Sequence, residues 1–322
     1  MAPFTVGMFY ERTKDLLDLE VLGSSTGFAR EIPAPDASGP GLVLAGYVGR
    51  FVTQRIQVLG ETEVSYLRAL ESTERTRILD TFLGYDIPCV MVTKGLDLPL
   101  GMEEAAHRAG VTILRSQLKT LEFYNRITPF LADVFAPSTS LHGSLADVYG
   151  IGLLFTGGSG IGKSECVLDL VERGHRLVAD DLVIVRRKGP DVLIGSGHQL
   201  QRHHMEIRGV GLIDVRSIFG VRSVRQQKRI EVIVVLEEWK EGVTVERTGL
   251  DTDTASILGV EIPRITIPLN PGKNITVIAE VIAMNHLMRF SGQDPAHAFN
   301  ERLKGHLREK ADVQRYLLDD DE

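Results

Sequence analysis

Residues 155–165 read FTGGSGIGKSE, and this stretch decides the fold of the second half of the chain. Gly157, Gly162, Lys163 and Ser164 match the pattern G-x-x-x-x-G-K-[ST]. Glycines at these spacings let backbone N–H groups turn inward around phosphate oxygens, and a following helix adds its positive N-terminal end. An apolar stretch, YGIGLLFTG, precedes the loop and a helical stretch, KSECVLDLVERG, follows it. The sequence therefore predicts a phosphate-binding strand–loop–helix unit.

This loop supplies the candidate nucleotide-binding residues. They are Gly157, Gly158, Ser159, Gly160, Ile161, Gly162, Lys163 and Ser164. We expect Lys163 to contact the β- and γ-phosphates of a nucleotide and the hydroxyl of Ser164 to bind Mg²⁺.

Composition narrows the class of protein. Of 322 residues, 43% are hydrophobic and 25% charged, which is typical of a globular protein. The net charge of −7 argues against broad nucleic-acid binding, which requires a basic surface. Two cysteines are too few for a disulfide framework. No run approaches about 18 apolar residues and the N-terminus lacks a signal-peptide pattern, so we expect a cytoplasmic protein without a membrane span.

The rest of the chain predicts two α/β domains. Apolar residues at helical spacing in RTKDLLDLEVLG predict a helix, IPCVMVTKG predicts a buried strand, and strands and helices alternate to about residue 133. The Pro-, Ser- and Gly-rich stretch APSTSLHGS is the best linker candidate. We therefore expect an N-terminal α/β domain over 1–133 and a catalytic domain over 134–322. After the loop, turn signals such as KGPD predict hairpins rather than a repeated βαβ series.

Three groups of polar residues flank the loop. His142 lies in SLHGS, Asp180 and Asp181 follow an apolar run in VADD, and Glu206 and Arg208 lie in MEIRGVGLIDV. Adjacent carboxylates can divide labour, because one can accept a proton while the other binds a metal ion or orients a histidine. Each group alone is also typical of a solvated surface, so only their combination indicates a site.

Taken together, these stretches resemble the HPr kinase/phosphorylase family. LHGSLADVYGIGLLFTGGSGIGKSE, RGHRLVADD, MEIRGVGLIDVRSIFG and NPGKNITVIAEVIAMN carry the resemblance, and EIRG-G is the most specific part of it. In the first half of the chain, GLVLAGYVGRF, RIQVLGETEVSYL and IPCVMVTKGLDLP also match, so the resemblance covers nearly the whole chain.

The resemblance implies a fold and an activity. The C-terminal domain would be a P-loop kinase domain similar to that of PEP carboxykinase. It would use ATP and Mg²⁺, with pyrophosphate as an alternative phosphoryl donor, to phosphorylate a serine of the phosphocarrier protein HPr. It would reverse the reaction by phosphorolysis, in which inorganic phosphate attacks the phosphoserine and gives pyrophosphate. The family resemblance also implies a homohexamer.

Residue roles are implied in the same way. Asp180 would be the base that takes the serine proton and the acid that returns it, and Asp181 would pair with His142. Glu206 would be a metal-side carboxylate, and Arg247 would neutralise charge on the transferred phosphoryl group. Within residues 268–274, the residues that would meet HPr are Pro268, Asn270, Pro271, Gly272, Lys273 and Asn274.

The chain departs from the usual family pattern at three positions. Gly158 stands where the family usually has an acidic residue, and Asn270 and Lys273 stand where arginines are more frequent. Lysine cannot reproduce the bidentate fork of arginine.

Other classes of protein remain open from the residues alone. A P-loop kinase of a small metabolite would use the same loop, and so would a nucleotide-binding sensor without phosphotransfer. A GTP-binding switch is disfavoured, because TKGLD at 93–97 precedes the phosphate loop instead of following it. A requirement for a small protein acceptor would separate the kinase of HPr from its rivals.

Overall fold

The chain divides into two compact units, 1–136 and 137–322. The structure is a computed structural model, and it describes residues 3–198, 201–239, 253–270 and 272–319. The division falls within the stretch where the sequence predicts a domain boundary. None of the helices in these described ranges is both long and apolar enough to cross a membrane.

The N-terminal unit is a five-stranded sheet with helices on both faces. Its strands are β1 (Leu19–Leu22), β2 (Ala37–Ser38), β3 (Ile56–Leu59), β4 (Cys89–Val92) and β5 (Thr112–Ser116). Its helices are α1 (Val6–Leu17), α2 (Gly41–Leu44), α3 (Glu61–Ala69), α4 (Ser72–Leu83), α5 (Met102–Ala109) and α6 (Thr120–Val134). The strand order is β1-β5-β4-β3-β2, and only β1 runs antiparallel to its neighbour. Two apolar clusters, one on each face, form its core.

The strand predicted in this unit is confirmed, whereas the predicted helix is only partly correct. IPCVMVTKG contains β4, whose four residues are all buried, and Gly110 ends α5 in a left-handed conformation with φ 62°. The helix predicted over RTKDLLDLEVLG is wrong in its second half. It ends at Leu17, Asp18 takes a left-handed φ of 50°, and Leu19–Leu22 pairs with β5 instead. Backbone pairing with a distant strand overrides the helical spacing there.

The described residues of the C-terminal unit form three sheets. Its strands are β6 (Ser138–His142), β7 (Ser144–Val148), β8 (Ile151–Gly157), β9 (Arg176–Ala179), β10 (Leu182–Lys188), β11 (Val192–Gly197), β12 (His204–Ile207), β13 (Gly211–Asp214), β14 (Gln227–Arg229), β15 (Val232–Glu238), β16 (Asp253–Ile257) and β17 (Val260–Leu269). Its helices are α7 (Lys163–Glu172), α8 (Val215–Phe219), α9 (Ile275–Phe290) and α10 (Pro295–Asp319).

The largest sheet carries the phosphate loop. Its order is β16-β17-β15-β8-β7-β9, and β8, β15 and β17 are parallel to one another. The predicted hairpin around KGPD is confirmed by the β10–β11 pair. The expectation of hairpins alone is wrong, since two later strands run parallel to β8. The carboxyl ends of these parallel strands therefore meet at one edge of the sheet.

The predicted linker is also partly wrong. Ser138–His142 forms β6, which pairs antiparallel with β10 in the four-stranded sheet β14-β11-β10-β6. His142 lies directly opposite Leu182 in this pairing. The proline, serine and threonine residues of this stretch favour a loop locally, but pairing with β10, which is distant in the chain, makes it a strand. The pairing brings His142 next to the end of the VADD stretch.

The core of the C-terminal unit holds the phosphate-loop strand in place. Leu153 and Phe155 of β8 are fully buried, and they pack in one cluster with α7 and α9. Burial of a side chain of this size contributes about 1.5–3 kcal/mol to stability. The loop at the end of β8 is therefore presented by a rigid element.

Candidate active site at the phosphate loop

The phosphate loop leaves β8 in a backbone conformation that requires glycine. Gly157 has φ 139°, and a Cβ atom there would lie 2.4 Å from the carbonyl oxygen of Leu236. At the other end, Gly162 precedes α7 with φ 101°, and no side chain caps the helix. The first N–H groups of α7 are thus left for another acceptor, which is how helix N-termini bind phosphate.

Lys163 lies inside the loop. Its side chain is only 6% exposed, and Nζ donates to the carbonyl oxygens of Gly157 at 3.1 Å and Gly158 at 2.8 Å. A buried ammonium group requires such partners, because an unpaired charge in this environment is costly. The positive charge is therefore held within the loop that would surround the phosphates.

Asp180 is a buried carboxylate beside the loop. Oδ1 accepts from Ser144 Oγ at 2.5 Å and from Ser164 Oγ at 3.0 Å, and backbone N–H groups of Asp181 and Glu206 also donate to this carboxylate. Burial raises the pKa of Asp180 above its ordinary value, and the donated hydrogen bonds oppose that rise in part. The geometry thus joins a carboxylate with raised proton affinity directly to Ser164.

Asp181 faces a different partner from Asp180. Its Oδ1 lies 3.1 Å from His142 Nδ1, and both side chains are more than half exposed. Asp181 has φ 65°, and its carbonyl oxygen accepts from the N–H of Gly143 at 3.1 Å. The left-handed turn directs the two adjacent carboxylates to different neighbours, as the predicted division of labour requires.

Glu206 and Arg208 approach the site from β12 and the turn after it. The N–H of Glu206 donates to Asp180, whereas its side chain is exposed. Arg208 Nη2 lies 3.4 Å from Ser159 Oγ, and a Cβ atom on Gly160 would lie 2.3 Å from Arg208 Nη1. Arg208 therefore lies directly against the phosphate loop.

The polar groups at the loop fit a magnesium ion. The Ser164 hydroxyl is a hard oxygen ligand, of the kind that Mg²⁺ combines with water and substrate phosphates, and the exposed carboxylate of Glu206 is a further ligand of that kind. Within the described ranges, no three His, Cys, Asp or Glu side chains cluster as a metal site. Mg²⁺ in nucleotide sites does not need such a cage, because phosphate oxygens complete its coordination.

Comparison with known proteins identifies the family. The HPr Serine kinase C-terminal domain matches residues 133–303, and the HPr Serine kinase N terminus matches residues 4–131. The chain belongs to the HPr serine kinase family. The resemblance inferred from the sequence is confirmed, and so is the enzyme class, a phosphotransferase, at the level of the family.

Relatives in this family match almost the entire chain. HPr kinase/phosphorylase of Chloroherpeton thalassium is 45% identical over 311 residues, covering 96% of this chain and 92% of the relative. HPr kinase/phosphorylase of Bacillus subtilis is 41% identical over 295 residues, covering 91% of this chain and 95% of the relative. The solved structure of the Hpr(Ser) kinase/phosphatase from Coxiella burnetii is 33% identical, with a TM-score of 0.45. That structure covers 51% of this chain and 99% of its own.

The described residues of the predicted HPr-contact loop lie directly before α9 and hydrogen-bond to one another. Lys273 N–H donates to the carbonyl oxygen of Asn270 at 3.1 Å, and Lys273 Nζ donates to that of Pro268 at 3.0 Å. Gly272 has φ 83°, and the side chain of Asn274 caps α9 by accepting from the N–H of Val277 at 3.1 Å. We call residues 268–270 and 272–274 the acceptor loop.

Two of the predicted site residues have no place in this description. Arg247 and Pro271 lie outside the described residues, so their roles stay predictions.

One contact in the site is missed by the sequence. Ser144 is fully buried and donates to Asp180, although no role is predicted for it. The only signal was a serine at the start of the apolar run SLADV. A buried hydroxyl must find a partner, but the sequence does not reveal that the partner is Asp180.

Proposed function

We propose that this chain phosphorylates a serine of HPr with ATP and Mg²⁺, and that it dephosphorylates the phosphoserine with inorganic phosphate, releasing pyrophosphate. The names of its relatives, HPr kinase/phosphorylase, support the activity and the partner. The observation that carries the proposal for this site is the contact between Ser164 of the phosphate loop and the buried carboxylate of Asp180. A nucleotide-binding loop and a proton acceptor are thereby adjacent.

Nucleotide would be held by the loop from Gly157 to Ser164. The N–H groups at the start of α7 and the ammonium group of Lys163 would bind phosphate oxygens. Ser164 would hold Mg²⁺, with Glu206 as a further carboxylate on the metal side. When bound, Mg²⁺ supplies positive charge that offsets the charge of the phosphates. The C-terminal domain, 134–322, would then be a P-loop kinase domain similar to that of PEP carboxykinase.

Asp180 would move the proton during transfer. Oδ1 accepts from Ser144 and Ser164, and the other carboxylate oxygen, Oδ2, would accept the proton of the attacking seryl hydroxyl. The seryl oxygen forms a bond to the γ-phosphorus as the bond from that phosphorus to the ADP oxygen breaks. The raised proton affinity of Asp180 suits this role, because a base works best when its pKa approaches the working pH.

The same group would serve the reverse reaction. An oxygen of inorganic phosphate attacks the phosphoserine phosphorus, the bond to the seryl oxygen breaks, and Asp180 returns its proton to that oxygen. Pyrophosphate then leaves from the position that the nucleotide phosphates occupy in the forward reaction. One acid–base group would thus serve both reactions, since each makes or breaks the same bond between phosphorus and the seryl oxygen.

The remaining residues would orient the reacting groups and neutralise the charge on the transferred phosphoryl group. Asp181 would hold the ring of His142 through the contact at 3.1 Å, and His142 would interact with the attacking group. Arg247 would offset charge on the transferred phosphoryl group. The acceptor loop, together with Pro271, would contact HPr near the target serine.

The setting of the enzyme is part of the same proposal. HPr is the protein partner, the chain assembles as a homohexamer, and it acts in the cytoplasm. The acidic net charge of −7 agrees with a protein partner and gives no support to nucleic-acid binding.

The test is direct. The purified chain is mixed with Mg-ATP and HPr, and HPr is followed by intact-mass spectrometry, after which inorganic phosphate is added. We expect HPr to gain one phosphoryl group on serine and to lose it again with release of pyrophosphate. A Lys163→Met variant, which lacks the cation in the loop, should show neither reaction. Absence of phosphorylation by the unaltered chain, with ATP still bound, would refute the proposal and favour a metabolite kinase or a nucleotide sensor.

A further inference from the structure

The phosphate loop and the acceptor loop leave the same sheet at the same edge. The phosphate loop begins at the end of β8 and leads into α7, and the acceptor loop begins at the end of β17 and leads into α9. Both strands run parallel to β15, which lies between them. With strands spaced about 4.8 Å apart, the two loops start about 10 Å from each other. Their relative position depends on how α9 lies against α7.

Apolar packing alone does not fix that position. Val167 and Leu170 of α7 share one buried cluster with Ala279 and Ala283 of α9. Such contacts hold the helices together, but they are non-directional and tolerate small sliding or rotation. The larger side chains of α9 in this cluster, Ile275, Ile278 and Ile282, add area to the contact but no polar partner that would fix its register against α7.

A buried polar cluster provides the direction that apolar packing lacks. Glu280 of α9 is 7% exposed, and its two oxygens accept from Arg173 Nε at 2.9 Å and Nη2 at 2.6 Å. His175, also 7% exposed, contacts Glu280 Oε1 at 3.1 Å, and the ring of Tyr149 packs edge-on against His175 at 4.6 Å. Bidentate carboxylate–guanidinium pairs are strongly directional.

A second contact lies one turn earlier on α9. Thr276 Oγ1 lies 3.3 Å from Asp169 Oδ2, and Thr276 also contacts the thiol of Cys166. Thr276 contacts Cys166 and Asp169, whereas Glu280, one turn later on α9, contacts Arg173 at the end of α7. The two helices therefore run in the same direction, with both N-termini toward the edge that carries the loops.

We propose that Glu280, held by Arg173 and His175, is a positioning residue that locks α9 against α7 and so sets the acceptor loop relative to the phosphate loop. The proposal rests on the function proposed above and names a device that aligns the acceptor serine with the phosphoryl donor. Glu280 is at the far end of α7 from the loop and touches neither substrate. Glu280 therefore acts only through the position of the acceptor loop relative to the phosphate loop.

The pKa of Glu280 agrees with this assignment. The hydrogen bonds from Arg173 lower it from 4.5 to about 2, although burial acts in the opposite direction. The carboxylate of Glu280 is therefore ionised near neutral pH, and its contacts with Arg173 and His175 are formed there.

Arg173 offers the cleanest perturbation. Its side chain is 48% exposed, so Arg173→Ala removes the bidentate contact without opening a cavity. Arg264→Ala is the matched control, because Arg264 is 43% exposed and pairs with Asp253 of the adjacent strand in the same unit. Both variants remove a half-exposed arginine from an ion pair, but the carboxylate left behind is buried for Glu280 (9% exposed) and exposed for Asp253 (58%). Only the first variant therefore loosens α9.

Two measurements test the proposal. First, we expect Arg173→Ala to lower kcat/KM for HPr about 10- to 100-fold, because a misplacement of about 1 Å costs up to about 100-fold in rate. Nucleotide affinity should stay at the level of the Arg264→Ala control. Second, amide hydrogen exchange in the acceptor loop and the first turn of α9 should accelerate, while that of residues 157–164 should not.

The outcomes are separable from those of the proposed function. If the unaltered chain phosphorylates HPr and Arg173→Ala has the kinetics of the control, the positioning role is wrong. If nucleotide affinity and HPr kinetics fall together, the cluster supports the unit as a whole and the positioning role is also wrong. If the unaltered chain does not act on HPr, the function fails, and hydrogen exchange alone still decides whether Arg173 and Glu280 hold the loop.

Discussion

Asp180→Asn is the most informative single change at the site. Asparagine has the shape of aspartate, and its amide oxygen can still accept from Ser144 and Ser164 as Oδ1 does. What disappears is the second carboxylate oxygen, which is the proton acceptor in the proposed reaction. The change therefore removes the base and keeps an acceptor for the two serine hydroxyls.

The magnitude follows from the role of a general base. Loss of such a group costs about 10²–10⁴ in rate, or about 2.7–5.4 kcal/mol of transition-state stabilisation. Nucleotide affinity should change little, because Lys163 and the N-terminus of α7 are unaltered. We expect the transfer step to slow by that factor in single-turnover assays with HPr, and the affinity for a fluorescent ATP analogue to be preserved.

Stability should change in the opposite direction from activity. Burial raises the pKa of Asp180 above its ordinary value of 3.8, so its charged form is disfavoured in the folded protein. The stabilisation linked to this group is present below pH 3.8 and is lost as pH rises through the raised value. Asp180→Asn should therefore unfold at higher urea concentration than the unaltered chain at pH 7, and the difference should vanish near pH 3.5.

A matched control completes the test. Asp97→Asn makes the same chemical change at an exposed ion pair with Arg115 in the N-terminal unit, and it should alter neither rate nor stability. Equal transfer rates in Asp180→Asn and the unaltered chain would show that Asp180 is not the base. Loss of transfer together with nucleotide binding and stability would show that the residue supports the fold instead.

Further predictions concern stability and reactivity. Gly152→Ala should lower the free energy of unfolding by about 1–3 kcal/mol in urea denaturation, because its Cβ would lie 1.9 Å from the carbonyl oxygen of Arg229. The control Gly305→Ala has open space around the new Cβ and should not lower it. Equal free energies of unfolding in the two variants would contradict the close approach at Gly152. Because the pKa of Glu280 is lowered to about 2, the stability lost in Glu280→Gln should be largest above pH 4.5 and should shrink as pH falls toward 2; a constant difference across that range in urea titrations would refute the ion pair. Both cysteines are buried with pKa values raised to about 12, so a thiol reagent should label neither in the native protein and both in denaturant, and rapid native labelling would contradict their burial.

Local chemistry explains what the sequence predicts well. The strand–loop–helix unit at 151–172 follows from glycines with positive φ and from an apolar strand, both of which are visible in one short stretch. The hairpin around KGPD follows from turn residues in the same way. The pairing of His142 with Asp181 was suggested by family resemblance, and the distance of 3.1 Å agrees with it.

What the sequence misses depends on residues far apart in the chain. β1 and β6 look like a helix end and a linker until their partners β5 and β10 are known. The hydrogen bond from Ser144 to Asp180 and the contacts of Glu280 with Arg173 join elements that no local pattern relates. Propensity depends on neighbouring residues in the chain, whereas these contacts depend on how distant strands and helices are arranged in the fold.

The parallel arrangement of β8, β15 and β17 has a consequence for folding during synthesis of the chain. On one side, β8 pairs with β7 immediately before it, but its other edge stays open until residues 232–238 have been synthesised. During translation, β8 is thus an apolar edge strand without its distant partner. Pairing with a distant strand is slow, and an unpaired apolar edge is prone to aggregate. A nascent chain that ends before β15 should therefore depend on a chaperone and bind no nucleotide.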